Sequence, residues 1–221
     1  VLSEEEIAGS IGKVDEVVEI ELVNYFIKGN IALTKVDEDY PDNKLSDAVF
    51  EVYSDTNGDG KLDKDDTLLG EMKELDGGVY QMSELRYGKY LVKETKAPTG
   101  FVLDENVYSV SVEENGKTYT VENKAGVGFI NAAQKGSLKI VKTSSDGKVE
   151  GFSFRVTGVD YDQTFKTDKN GEIVIEGLRI GDYTVSEVSD KASAGYILPA
   201  DKQVTVKVNA TAIVQMHNEF R

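Results

Sequence analysis

The chain repeats itself, and a repeat this long restricts it to two copies of one domain. Gly29-Asn-Ile-Ala-Leu-Thr-Lys35 matches Gly136-Ser-Leu-Lys-Ile-Val-Lys142, with the lysine six residues after the glycine in both. Leu45-Ser-Asp-Ala-Val-Phe-Glu-Val matches Val149-Glu-Gly-Phe-Ser-Phe-Arg-Val, and Leu85-Arg-Tyr-Gly-Lys-Tyr-Leu-Val-Lys-Glu94 matches Leu178-Arg-Ile-Gly-Asp-Tyr-Thr-Val-Ser-Glu187. Gly100-Phe-Val-Leu and Gly195-Tyr-Ile-Leu follow, and Val127-Gly-Phe-Ile-Asn131 matches Val214-Gln-Met-His-Asn218. The two copies span 28–134 and 135–221. A third, partial copy opens the chain. Val1-Leu2 matches Val102-Leu103, and Val18-Glu-Ile-Glu-Leu-Val-Asn24 matches the final strand of each full copy. Residues 1–27 are therefore expected to be the C-terminal strand remnant of a preceding domain. That strand should pack on the first domain or pair with a neighbouring molecule, because an unpaired strand edge is sticky.

Within each copy, short segments alternate apolar and polar residues and are separated by Gly, Asn and Asp turns. Ala48-Val-Phe-Glu-Val-Tyr, Tyr90-Leu-Val-Lys-Glu and Gln203-Val-Thr-Val-Lys-Val all have the period of two that places alternate side chains on one face of a strand. Helical periodicity is confined to the acidic Ser3–Ile7 stretch. The expected fold is all-β: two tandem antiparallel sandwiches.

The net charge is −15, from 40 acidic against 25 basic residues. Such a chain has no basic face for nucleic acid or an anionic membrane surface, so neither is expected as a partner. There are no cysteines; because small extracellular β-domains often rely on disulfides, this points either to a reducing compartment or to another kind of staple. The chain reads as an internal piece of a longer protein.

Side-chain parity isolates three polar residues per copy. Ile31, Leu33 and Lys35 share a face of the first strand; Tyr90, Val92 and Glu94 share a face of its partner strand; Val127, Phe129 and Asn131 share a face of the last. The second copy repeats this with Leu138, Ile140 and Lys142, with Tyr183, Val185 and Glu187, and with Val214, Met216 and Asn218. A lysine, a glutamate and an asparagine thus point toward each core, where they are costly unless they pair or react. Burial favours the neutral, nucleophilic amine of lysine and the protonated form of glutamate. The amine can then attack the asparagine carboxamide, with the glutamate shuttling protons and ammonia leaving. The other use of the same residues is a buried Lys–Glu salt bridge with Asn as a hydrogen-bond partner.

The pattern G-x-φ-x-φ-x-K, then L-x-x-G-x-Y-x-φ-x-E, then a final strand ending in Asn, resembles the CnaB-type domain of Gram-positive surface adhesins and pilins. The stretch from Tyr90 to Phe101 is similar to that family's glutamate box. The resemblance covers residues 28–221 and implies a transthyretin-like sandwich with an autocatalytic isopeptide bond. It carries the crosslink onto Lys35 and Asn131 and onto Lys142 and Asn218, with Glu94 and Glu187 as the catalytic carboxyls and no cofactor required. In the second copy Glu187 is followed by Val-Ser-Asp-Lys-Ala-Ser-Ala-Gly, longer and without the Ala-Pro of the first.

One segment belongs to the first copy alone. Lys35 and Glu94 are 59 residues apart, Lys142 and Glu187 only 45, a difference of about one loop. Asp55, Asn57, Asp59, Lys61, Asp63 and Asp66 occupy the ligand positions of a twelve-residue calcium loop, with Gly60 at the sharp turn. Calcium is the expected ion; a solvated acidic turn is the other reading.

These readings converge on a structural stalk module of a cell-surface adhesin or pilin, extracellular and cell-wall-attached, whose only chemistry is on itself. Its expected partners are neighbouring domains of the same surface protein. A second reading is an adhesive module for a host glycan or matrix protein, and a third is an accessory region of a carbohydrate-active enzyme. His217, the single histidine, faces away from Met216 and Asn218 and is expected to meet solvent.

Overall fold

The computed structural model describes residues 9–15, 17–158 and 160–221. The helical stretch expected at Ser3–Ile7 and the Val1-Leu2 match lie outside the described residues. The chain divides into two compact units; the first ends at Asn131, and the second begins at Ala132 and also takes in Gly100–Val102.

The first unit contains β1 (Lys28–Asp37), β2 (Val49–Ser54), β3 (Thr67–Glu71), β4 (Lys73–Asp76), β5 (Val79–Arg86), β6 (Gly88–Lys96), β7 (Val107–Val112), β8 (Thr118–Thr120) and β9 (Phe129–Asn131). One sheet runs β4-β5-β1-β8, with β9 also on β1; the facing sheet runs β3-β2-β6-β7. The second unit contains β10 (Lys135–Ser144), β11 (Ser153–Gly158), β12 (Tyr161–Lys166), β13 (Glu172–Arg179), β14 (Gly181–Glu187), β15 (Tyr196–Ile197), β16 (Lys202–Val206) and β17 (Thr211–Phe220). Its sheets run β13-β10-β17-β15 and β12-β11-β14-β16. Each unit is a two-sheet sandwich without helices among the described residues, as the alternating patterns require.

Inward-facing residues of both sheets make each core. Ile31, Leu33, Phe50, Val52, Tyr80, Val92 and Phe129 fill the first; Leu138, Ile140, Phe152, Phe154, Val185, Val214 and Met216 fill the second. Phe129 is edge-on to Phe50 at 4.9 Å and to Tyr108 at 5.1 Å between ring centroids, the favoured aromatic geometry. The tyrosine of each L-x-x-G-x-Y motif closes its own hairpin: Tyr90 donates its hydroxyl to Arg86 O at 2.6 Å and Tyr183 to Arg179 O at 2.8 Å.

In each unit the first strand pairs with the last in parallel. β10 meets β17 without interruption from Ser137↔Thr211 to Ser144↔Asn218. In the first unit that edge is split: β8 covers Asn30–Ala32 and β9 covers Lys35–Asp37. Val127 is accordingly not in the last strand. It lies in a turn whose Val127 N–H donates to Lys124 O at 3.0 Å, and Gly128 leaves that turn at φ 133°. Val121, whose N–H donates to Ala32 O, fills the core position instead.

Residues 17–27 carry no strand, in contrast to the strand expected at 18–24. The physical reason is pairing: each full unit's last strand is held by a first strand, and no described strand pairs with 18–24.

Candidate functional site

Lys35 and Asn131 come from adjacent parallel strands, β1 and β9, with Asn131 opposite Asp37, two residues beyond Lys35. Glu94 comes from β6 of the facing sheet, so it is a partner across the core and not beside β1. Lys35 and Glu94 have no exposed surface and Asn131 almost none. Two sheets and three strands thus deliver one amine, one carboxyl and one carboxamide to the same dry point.

The carboxamide lies between the other two groups. Asn131 Oδ1 accepts from Lys35 Nζ, and Asn131 Nδ2 donates to Glu94 Oε1 at 3.0 Å and Oε2 at 2.9 Å. Lys35 Nζ also donates to Phe129 O at 3.1 Å, and lies 3.8 Å from Glu94 Oε1. Burial pulls the Lys35 amine down to about 8, against the opposing pull of Glu94, Asp104 and Asp37. Burial also pushes the Glu94 carboxyl up, opposed by the Asp104 N–H and the Asn131 amide. Both shifts favour the neutral forms. The amine faces the carbonyl side of the Asn131 amide, and the carboxyl faces its nitrogen.

A positioning network surrounds this triad that parity reasoning does not reveal. Asp104 N–H donates to Glu94 Oε2 at 2.8 Å, while the Asp104 carboxylate accepts from Tyr108 Oη at 2.6 Å and Asn123 Nδ2 at 2.8 Å. Asn123 also takes both backbone groups of Ile130, the residue before Asn131: its Oδ1 accepts from Ile130 N–H at 2.6 Å and its Nδ2 donates to Ile130 O at 2.9 Å. Asp104 and Asn123 lie in loops and Tyr108 in β7, and strand alternation gives no sign that the three act together.

The second site gathers the same three residues in a less complete arrangement. Lys142 on β10 and Asn218 on β17 are buried, with Asn218 opposite Ser144, again two residues beyond the lysine. Asn218 Nδ2 donates to Glu187 Oε1 at 2.7 Å. Lys142 Nζ instead donates to Thr143 O at 2.6 Å and lies over the Phe152 ring at 4.0 Å. Glu187 Oε2 and Asn218 Oδ1 are buried without a hydrogen-bond partner. The repeat accounts for the first of these orphans. Asp104 is the fourth residue after Gly100, and the fourth after Gly195 is Pro199, which has no N–H to donate. Burial lowers Lys142 and raises Glu187 from their ordinary values, the same directions as in the first site.

The acidic loop of the first unit joins β2 to β3. Asp55 accepts from Gly58 N–H at 2.7 Å and Gly60 N–H at 3.1 Å; Asp66 accepts from Thr56 N–H at 3.1 Å and Asp63 N–H at 2.9 Å. Asn57 and Asp59 accept from Asp59 N–H and Lys61 N–H, so the Lys61 backbone is part of the same network. The loop closes by these Asx turns, and among the described residues no group of three or more His, Asp or Glu side chains stands close enough to hold a metal ion. His217 is exposed, bonded to Thr143 Oγ1 at 2.8 Å and Glu219 at 3.1 Å.

In each sandwich a buried lysine of the first strand and a buried asparagine of the last strand meet across one parallel strand pair. The chain belongs to the SpaA prealbumin-like fold domain family, which matches residues 29–125 and 136–219. It is similar to the TIE protein of Bacillus anthracis, at 25% identity over 88% of this chain and 34% of that one, with a TM-score of 0.64. The pilus adhesin SpaC of Lactobacillus rhamnosus GG shares the fold at 13% identity, covering 88% of this chain and 31% of its own, with a TM-score of 0.53. A C-terminal fragment of the same adhesin does so over 89% and 98%, with a TM-score of 0.51. The chain thus spans about a third of the length of the TIE protein and of SpaC. No curated protein matches it. No helix among the described residues is long and apolar enough to cross a membrane.

Proposed function

We propose that the chain is a stalk segment of an extracellular, cell-wall-attached pilin or adhesin of a Gram-positive bacterium, in which each sandwich ties its first strand to its last by a Lys–Asn amide bond. The bonds are Lys35–Asn131 and Lys142–Asn218. In each, the Nζ–Cγ bond forms and the Cγ–Nδ2 bond breaks. The glutamate, Glu94 or Glu187, hands a proton to the departing nitrogen and recovers one from the attacking amine, so that one ammonia leaves. Folding supplies the proximity that an external enzyme would otherwise provide.

The observation that carries this reading is the Asn131 carboxamide held between the Lys35 amine and the Glu94 carboxyl, all three buried. A salt bridge alone would not need the carboxamide; here Asn131 bonds to both groups, which themselves approach only to 3.8 Å. The mass of the denatured chain tests it. A deficit of two ammonia molecules is expected, falling to one in Lys35→Ala and one in Lys142→Ala. An unmodified mass would leave ion pairs in ordinary sandwiches and favour a ligand-binding module.

A further inference from the structure

We infer that Asn123 is a positioning residue for the Lys35–Asn131 crosslink: its side chain holds the backbone of Ile130 and, through Asp104, ties the acceptor strand to Glu94. This rests on the reading of Lys35–Asn131 as a self-made amide bond. It gives the first sandwich a device that the second does not share.

The first observation is an insertion in the last strand itself. Thr120 lies opposite Ala32 and Phe129 opposite Lys35, so nine steps along the last strand are set against three along β1. In the second sandwich Ile213 lies opposite Lys139 and Met216 opposite Lys142, three steps against three. The six extra residues leave the ladder as a small closed turn, in which Gly126 N–H donates to Glu122 Oε2 at 2.8 Å and Gly128 N–H to Lys124 O at 3.2 Å. Asn123 belongs to this excursion. Behind it β9 keeps only three residues, with Asn131 the last of them. So short a strand has few ladder bonds to hold its end in place.

The second observation is what the excursion brings back. Asn123 Oδ1 accepts from Ile130 N–H at 2.6 Å and Asn123 Nδ2 donates to Ile130 O at 2.9 Å, so a side-chain amide pairs with both backbone groups as a neighbouring strand would. The other Nδ2 hydrogen goes to Asp104 Oδ2 at 2.8 Å, which uses both donors of the amide. Asp104 is itself fixed by Tyr108 Oη at 2.6 Å and Asn106 N–H at 3.0 Å, and its own N–H donates to Glu94 Oε2 at 2.8 Å. Because Asn131 Nδ2 also donates to Glu94, the bonds close a ring that runs Ile130, Asn123, Asp104, Glu94, Asn131 and back through one peptide bond. Asn123 touches neither the amine nor the amide that reacts; it acts on both through their neighbours.

The third observation is the contrast between the sites. In the second sandwich Pro199 stands at the place of Asp104, and β17 runs from Thr211 to Phe220 with no excursion to carry an equivalent of Asn123. There Lys142 Nζ turns to Thr143 O, and Asn218 Oδ1 and Glu187 Oε2 are left without hydrogen-bond partners. Amine, amide and acid stand in line in the sandwich that has the ring.

The test follows the two branched peptides in digests of freshly synthesised full chain, sampled over time between about pH 6 and 9, for the unaltered protein, Asn123→Ala and Asn123→Asp. Asn123→Ala removes all three bonds of the side chain; Asn123→Asp keeps the acceptor for Ile130 N–H and loses both donors. The Lys35–Asn131 bond should form about 10–100-fold more slowly in Asn123→Ala, the scale of a small misplacement of reacting groups. It should also be slower in Asn123→Asp, with the Lys142–Asn218 rate unchanged in both. The midpoint of the first bond's pH–rate curve should stay near 8, because burial, Glu94, Asp104 and Asp37 set the titration of Lys35. A merely structural role would move it, since a loosened core lets water reach Lys35 and sends the midpoint up toward the ordinary 10.5. An unchanged first-bond rate in either variant, equal slowing of both bonds, or a midpoint that climbs would overturn this inference and leave the proposed function standing. If Asn123→Ala does not fold, Asn123→Asp decides by the same readings; if neither folds, Asn123 is a structural residue and the inference falls. If the unaltered chain forms no Lys35–Asn131 bond, the inference and the proposed function fall together.

Discussion

At the scale of the residue, the first site is a matched pair of titrations. The reaction needs the amine free of its proton and the carboxyl in possession of one, and burial moves both groups that way. With Lys35 near 8, the reactive fraction falls about tenfold for each pH unit below that value. The rate of bond formation, followed by mass in freshly synthesised Lys142→Ala protein, should therefore rise steeply from pH 6 to 8. It should then level once the amine has lost its proton. A rate independent of pH between 6 and 8 would remove the neutral amine from the mechanism. The same shift acts on stability wherever the bond is blocked, as in Asn131→Ala. Between about 8 and 10.5 the unfolded chain holds a proton on Lys35 that the folded chain does not. In that window this group makes the fold more stable as pH rises, and below it the contribution is lost.

At the scale of the element, the two copies place the same residues but do not finish them equally. Lys142 must leave Thr143 O before it can reach Asn218, which costs about one hydrogen bond, ~1 kcal/mol. The Lys142–Asn218 bond should accordingly form about fivefold more slowly than Lys35–Asn131, measured by mass in Lys35→Ala and Lys142→Ala proteins side by side. Equal rates would show that the Thr143 contact does not hold the amine back. Much of this site is legible in the sequence. Burial parity acts locally, a strand has only two faces, and a polar residue on the apolar face in both copies has few explanations. The sheet that carries Glu94 is not legible, because period-two patterning says which way a side chain points but not which strand lies opposite. Nor is the break between β8 and β9, since Val127 keeps strand parity with Phe129 while a turn takes it out of the ladder. Asp104 and Asn123 act through loop hydrogen bonds set by tertiary position, for which alternation has no code.

At the scale of the whole molecule, the proposed crosslinks would decide where tension runs. Force entering at β1 would pass from Lys35 through the amide bond to Asn131, then along eleven residues to Lys142, and across the second bond to Asn218. The chain between each pair would be bypassed: 96 positions in the first sandwich and 76 in the second. Parallel pairing of first and last strands suits this, because both strands would otherwise be sheared past each other under load. Glu94→Gln removes the proton shuttle while keeping the shape and hydrogen bonding of the side chain, so the sandwich should fold without its bond. Pulled between its ends as a single molecule, the unaltered chain is expected to give no release of length from inside either sandwich. The Glu94→Gln chain should release one segment of about 96 residues, roughly 330 Å at full extension. The same change should cost about 4–5 kcal/mol through the freed loop, and for a domain of this size that lowers its melting temperature by on the order of 20 °C. A released segment in the unaltered chain would mean that its strands are held by hydrogen bonds alone. It would also remove the reason for placing this protein in a fibre under load.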